Sequence, residues 1–156
     1  MTVCVALHRD SRWLLSVRGA QVAHAPGTIG LVGGHLEVVV RPPSPEDEVA
    51  LIEADVLENN ARREVAEEIG ADLTGVPLSY LGSELFRGDH GPVVLAVTFV
   101  AEVPPGVEPT VAAPDELEAV GWWSLSELVA DPRCAPWTLR LCRQAAELVA
   151  ASAPDR

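Results

Sequence analysis

The chain has 156 residues, 48% of them hydrophobic and 22% charged, which fits one globular domain over residues 1–156 with a single sizeable core. Its formal charge of −12, with no basic stripe to offset it, argues against a nucleic-acid polymer as partner but leaves a small phosphate ligand open if cations mediate. There is no basic leader and no run of about 18 apolar residues, and Cys4, Cys134 and Cys142 are odd in number with no C-x-x-C pair. The expectation is therefore a protein of the reducing cytoplasm that neither leaves the cell nor spans a membrane, with no disulfide framework and no zinc site.

Taken in order, Val3 to Leu7 and Trp13 to Val17 are short apolar runs rich in β-formers, and the polar residues between them predict a hairpin. Gly27 to Gly34 reads as a short strand ending in a tight glycine turn. Arg41 to Pro45 breaks regular structure, and Ser44-Pro45-Glu46-Asp47 is a good helix start, with a serine cap, proline in the first position and acids in the first turn. Leu57, Ala61, Val65 and Ile69 recur every four residues, an apolar stripe of helical period stopped by Gly70. Two arrangements stay open: one helix from Pro45 to Ile69, or a shorter piece followed by a helix begun near Asp55, with Asp55 and Glu58 as a capping pair.

Pro77 to Phe86 and Val93 to Val103 read as strands, the second so continuously apolar that both faces should be buried. Pro104 to Pro114 is a loop. A strand at Ala119 to Trp123 leads into Ser124, which caps a short helix with Glu127 closing the box, and Ala135 to Ala151 forms a last amphipathic helix. Strands interleaved with helices define an α/β (α+β) layered domain, which alone names no function.

The informative segment is Arg63-Glu64-Val65-Ala66-Glu67-Glu68-Ile69-Gly70. On a helix, Glu64 lies one turn from both Glu67 and Glu68, and Arg63 one turn from Glu67. Three carboxylates crowded on one patch repel each other, and a divalent cation with hard oxygen ligands, magnesium or manganese, removes that penalty. A solvated acidic face is the plain alternative, but Gly33-Gly34-His35-Leu36-Glu37 lies upstream, where a bare glycine backbone can bring a carbonyl close to an ion.

With these residues the chain resembles the Nudix family, whose signature G-x5-E-x7-R-E-U-x-E-E-x-G-U is matched by Arg63 to Ala71, with only Ala71 small for its place. The first half departs from it. Asp55 stands where a glutamate is usual, and 20 residues instead of five separate it from Gly34, an insertion of about 15 that falls at residues 38–53. The opening hairpin, Glu37 and the ending Glu116 to Leu128 also look like family members, while Val32 and Ile29 replace a common proline and tryptophan.

The resemblance implies an α/β/α sandwich with a mixed β-sheet between helices. It also implies a Mg2+-dependent (or Mn2+-dependent) enzyme in which water cuts the pyrophosphate bond of a nucleoside diphosphate linked to another moiety, with a nucleoside triphosphate as the default substrate. Carried over by position, Glu67 and Glu68 are metal ligands with the Gly33 carbonyl, and Glu64 is a further ligand or the base. Arg63 orients the carboxylates by charge-assisted hydrogen bonds. Glu116 stands where members often place a further acid, with Asp115 and Glu118 as rivals.

His35 follows the glycines and could approach a phosphate, whereas His8, His24 and His90 share no metal-ligand spacing. Trp122 and Trp123 alternate on a strand, so one should be core; stacking of the other on a base is the lesser reading. A nucleotide- or sugar-nucleotide-binding module with weak or no catalysis is the alternative, kept open by Asp55 and the insertion. A structural protein with an acidic helix is a third reading. The apolar residues Val49, Leu51, Ile52 and Val56 suggest an ordered helix in the insertion, covered by its own domain or, as in a homodimer, by a second copy of the chain.

Overall fold

The computed structural model of the chain describes residues 1–37, 54–87 and 91–152. The two opening runs form the expected hairpin: β1 (Thr2–Arg9) and β2 (Arg12–Arg18) pair antiparallel with Leu7 opposite Leu14. Asp10 and Ser11 turn between them with φ of 50° and 61°, the double left-handed geometry whose twist matches that of paired strands.

The glycine segment differs from expectation. Two short strands form, β3 (Ile29–Gly30) and β4 (Val32–His35), and the two glycines lie inside β4, with Gly33 opposite Cys4 and Gly34 opposite Val3 on β1. They do not make a tight turn because β1 offers them a ladder, a long-range pairing that local glycine content does not reveal.

After β5 (Ser79–Arg87), β6 (Val93–Glu102) runs parallel to β1 and antiparallel to β5. β7 (Leu117–Trp123) pairs with β2, so the mixed sheet has the order β3-β2-β1-β6-β5, with β4 added on β1 and β7 on β2. The first half of β1 pairs with β4 and its last three residues with β2, so the sheet forks at β1.

Three helices complete the described residues: α1 (Val56–Ile69), α2 (Leu125–Ala130) and α3 (Pro136–Ser152). Strand alternation sends Val3, Val5, Leu7, Val97 and Phe99 to one face, where Ala61, Val65 and Ile69 of α1 cover them. Ala6, Leu15, Val17 and Val100 point the other way, onto Leu128 of α2 and Cys142 and Ala145 of α3. The result is the expected α/β/α sandwich. It has two cores rather than one, because the sheet is covered on both sides. Full burial of a side chain such as Leu7 or Val65 contributes about 1.5–3 kcal/mol, and the stripe at Ala61, Val65 and Ile69 is what fastens α1 to the sheet. As expected, Ala96 to Ala101 of β6 are buried consecutively, though Val93 and Leu95 remain exposed.

The helix ends separate two expectations. Ser124 caps α2 as read, its Oγ accepting from the Glu127 N–H at 3.2 Å while its own N–H donates to Glu127 Oε2 at 2.7 Å. Asp55 precedes α1 but forms no capping pair. Its backbone is left-handed (φ 53°) rather than extended, so its side chain makes no cap hydrogen bond. That same kink rules out one continuous helix from Pro45 to Ile69, and α1 begins at Val56. Gly70 ends α1 in the left-handed conformation (φ 66°), its N–H donating to Ala66 O.

The two tryptophans are both half-buried, Trp122 against the α1-side core and Trp123 against the other. The guanidinium of Arg9 also lies 4.7 Å over the Trp122 ring, so neither is left free to stack on a base. The insertion at 38–53, its suggested helix from Pro45 and the homodimer contact assigned to it lie outside the described residues, as does His90. Among the described residues no helix is long and apolar enough to cross a membrane.

Candidate active site

The helical period of α1 points Glu64 and Glu68 at the glycines of β4. Both are buried, keeping 9% and 6% of their surface exposed. The Gly33 N–H donates to Glu68 Oε2 at 3.0 Å, and a Cβ on Gly34 would stand 2.3–2.7 Å from the Glu64 carboxylate. Gly33 itself has a φ of +152°, and a Cβ there would meet the Val3 carbonyl at 2.2 Å. The two glycines are thus required for different reasons, Gly34 by the carboxylate in front of it and Gly33 by the strand behind it.

Burial pushes the Glu68 carboxyl up to about 7; the Gly33 N–H opposes the shift, and the charges of Glu64 and Glu116 add to it. Glu64 is also raised, first by burial, against the guanidinium of Arg63 and with help from Glu67 and Glu116. Burial and the neighbouring acids therefore disfavour the ionised form of both carboxylates, a cost that a bound cation would remove.

Arg63 is the organising cation. It donates to Glu64 Oε1 at 2.6 Å, to Glu67 Oε2 at 2.5 Å and to Asn60 Oδ1 at 3.1 Å, with Glu37 at 3.9 Å. The sequence reading missed Asn60, which is buried and donates to the His35 carbonyl at 3.3 Å, tying α1 to the end of β4. Its place one turn before Glu64 was the available signal. Glu67 is different from its neighbours, with a side chain 57% exposed.

Glu116 reaches the site from the loop before β7. Its carbonyl accepts the Gly19 N–H at 2.7 Å, and its charge acts on both Glu64 and Glu68. Of its rivals, Glu118 acts instead on Arg133. Among the described residues no three His, Cys, Asp or Glu side chains stand grouped as a ready metal cage, because Arg63 holds Glu64 and Glu67 while Gly33 holds Glu68. The donor set still fits a hard divalent cation: carboxylate oxygens from two elements, two of them buried and mutually repelling, beside a close-approach glycine. Cys4 and Cys142 are unpaired, and burial pushes both thiols up to about 12, so neither is a thiolate nucleophile at neutral pH.

A cleft of about 970 Å³ opens from Gly33, Gly34, Glu68 and Glu116 toward β5 and α3. His35 lines it, and so do Arg18, His24, Phe86 and Trp137, which no local spacing places there. Arg18 donates to the His24 carbonyl at 2.9 Å and lowers the Glu68 carboxyl by its charge, so a cation lies between the acids and the far wall.

The fold has counterparts among known proteins. The NUDIX domain model matches residues 1–144, and the chain belongs to the Nudix family, hydrolases that act on pyrophosphate bonds and generally use divalent metals. Among solved structures it is similar to a MutT NUDIX hydrolase from Burkholderia pseudomallei, at 25% identity and a TM-score of 0.67, covering 92% of this chain and 95% of that one. The NUDIX domain of Shewanella oneidensis NrtR, solved with ADP ribose, aligns at 22% identity and a TM-score of 0.69, covering 95% and 86%. A C. elegans Ap4A hydrolase aligns at 13% identity and 0.68, covering 96% and 97%; at such identities the likeness shows the fold alone. No curated protein sequence matches the chain.

Proposed function

We propose that the chain is a Mg2+-dependent pyrophosphohydrolase, with Mn2+ as an alternative ion, that cleaves a nucleoside diphosphate linked to another moiety, most simply a nucleoside triphosphate. The observation that carries this reading is the pair of buried carboxylates set against two glycines, Glu64 at Gly34 and Glu68 at Gly33, with Glu68 and Glu116 lining a cleft roomy enough for a nucleotide. Glu67, Glu68 and the Gly33 carbonyl hold the metal, and Glu64 is a further ligand or the base. When bound, the metal offsets diphosphate charge and lowers the pKa of the attacking water.

The chain's own residues do the positioning. Arg63 aims Glu64 and Glu67 by charge-assisted hydrogen bonds from the two ends of its rigid planar guanidinium. Glu116 adds a carboxylate from the loop before β7, and Arg18 offers a positive charge to the phosphates. Burial of Glu68 keeps water from screening the site, so each of these charges acts more strongly than it would on the surface.

A nucleotide-binding module with weak catalysis is the second reading. Asp55 favours it, because the described partners of Arg63 are Glu37, Asn60, Glu64, Glu67 and the His35 carbonyl, and Asp55 is not among them. A panel of nucleoside triphosphates, nucleoside diphosphate sugars and dinucleotides, assayed with Mg2+ or Mn2+ and scored for pyrophosphate and phosphate release, separates the two. Turnover that EDTA abolishes supports hydrolysis. Tight nucleotide binding without turnover of any member supports the module, and turnover untouched by EDTA removes the metal mechanism.

A further inference from the structure

Beyond the acids, the cleft is closed by two bridges between β5 and α3. The first is aromatic. His24, on the loop before β3, neighbours both Phe86 of β5 and Trp137 in the first turn of α3, with ring centroids 6.1 Å from each and interplanar angles of 32° and 24°. Phe86 and Trp137 remain 36% and 45% exposed, so the row faces solvent and fills neither core. The second bridge is ionic. Arg140, one turn after Trp137, donates to Glu84, two residues before Phe86 on the same face of β5, at 2.6 Å. All five side chains line the cleft that contains Glu68.

We propose that these bridges form the base-binding slot of the enzyme: the ring of a purine nucleotide stacks between His24 and Trp137, while Glu84 and Arg140 read its edge. The inference rests on the hydrolase reading only for the identity of the ligand as a nucleotide. A planar ring held between two others needs about 7 Å between them, two contacts of about 3.5 Å each. The His24 and Trp137 rings are near parallel with centroids 6.1 Å apart, and the exposed loop that carries His24 supplies the opening a third ring requires.

A carboxylate beside a guanidinium presents an acceptor next to donors, the complement of the donor-next-to-acceptor edge of a purine. The two rings of a purine also cover more of the exposed aromatic faces than a single pyrimidine ring, which makes purine the preferred base. Arg18 sets the direction. It is bonded to the His24 carbonyl and acts on Glu68, so a base stacked on His24 has its phosphates led toward the acids.

Binding of methylene-bridged, non-hydrolysable purine and pyrimidine nucleoside triphosphates, with methylenediphosphonate as a base-free control, tests the slot by calorimetry in the presence of Mg2+. The unmodified protein should bind the purine analogues more tightly than the pyrimidine ones. Trp137→Leu should weaken purine binding roughly 5- to 100-fold and bring the two classes together, as expected for loss of one base–aromatic stack. Trp137→Phe should restore most of the difference, Phe86→Leu should give a smaller loss, and methylenediphosphonate should bind all variants alike. Unchanged purine affinity in Trp137→Leu overturns the slot, as does an equal loss of methylenediphosphonate binding, which would mean that the cleft itself had collapsed. Purine preference in binding without any Mg2+-dependent turnover sinks the hydrolase reading and leaves the slot standing. Mg2+-dependent turnover that is indifferent to base and to Trp137→Leu sinks the slot alone.

Discussion

The two parts of the cleft are built by opposite means. At the acid part, Glu64 and Glu68 are buried, set by the period of one helix, and pressed against two backbone glycines that admit no side chain. At the aromatic part, His24, Phe86 and Trp137 are brought from a loop, a strand and a helix and stay open to solvent. The first is rigid because backbone packing defines it, as positioning charges for chemistry demands; the second can move by an ångström without loss to either core. Changes at the acid part should therefore affect rate where they meet a carboxylate and stability where they meet the β1 backbone, and changes at the aromatic part should affect ligand preference alone.

The largest effect should come from Glu68→Gln, which keeps volume and the Gly33 contact but removes a proposed ligand. Steady-state assays should show a loss greater than about 100-fold, since even groups supporting a ligand cost about 10–100-fold. A rate near that of the unmodified enzyme, with an unchanged unfolding curve, would remove Glu68 from the metal site. The glycines divide the comparison more finely. Gly34→Ala drives a methyl into the Glu64 carboxylate and should cost roughly 10–100-fold in rate with little change in Tm. Gly33→Ala strikes the β1 backbone instead and should cost about 1–3 kcal/mol or more of stability, seen as a Tm several degrees lower. If both variants lost rate and stability equally, the separate roles assigned to the two glycines would be wrong.

A smaller effect concerns pH. Because the folded Glu68 carboxyl is raised to about 7 from an unfolded value of 4.5, the folded state holds a proton that the unfolded state has released between those values. Its contribution to metal-free stability is therefore greatest below about 4.5 and is lost as pH rises through about 7. Melting curves in EDTA should show the Tm of the unmodified protein falling relative to Glu68→Gln between pH 5 and pH 8, and added Mg2+ should reverse the trend; parallel curves would contradict the burial argument. The smallest effect is the control outside the cleft. Ser124→Ala should cost about 1 kcal/mol of stability through loss of the α2 cap and leave turnover unchanged.

Much of this was legible in the chain because it depends on short spacings. Glu64, Glu67 and Glu68 around Arg63, the stop at Gly70 and the Ser124–Glu127 box are all settled within one or two helical turns, where geometry follows from sequence distance. Asp55 resisted the same treatment. An Asp three residues before a Glu resembles a capping pair, yet the left-handed backbone that brings the chain into α1 turns the side chain away from the helix N–H groups. Strand alternation predicts a core place for one tryptophan of the Trp122-Trp123 pair, but a sheet covered on both faces gives each a core to pack on.

What the sequence by itself determined is the acid helix, its stop, the pairing hairpin and the family, because each rests on local periodicity or a motif of fixed order. Only the tertiary structure decided that Gly33 and Gly34 sit in a strand against β1, and that Glu116 lines the same cleft as Glu68. It alone gathered Arg18, His24, Phe86 and Trp137 around one cleft. These residues lie far apart along the chain, and their meeting depends on how β1 divides its edge between β4 and β2. Strand pairing of that kind is selected by burial of two whole faces at once and leaves no mark at any single spacing.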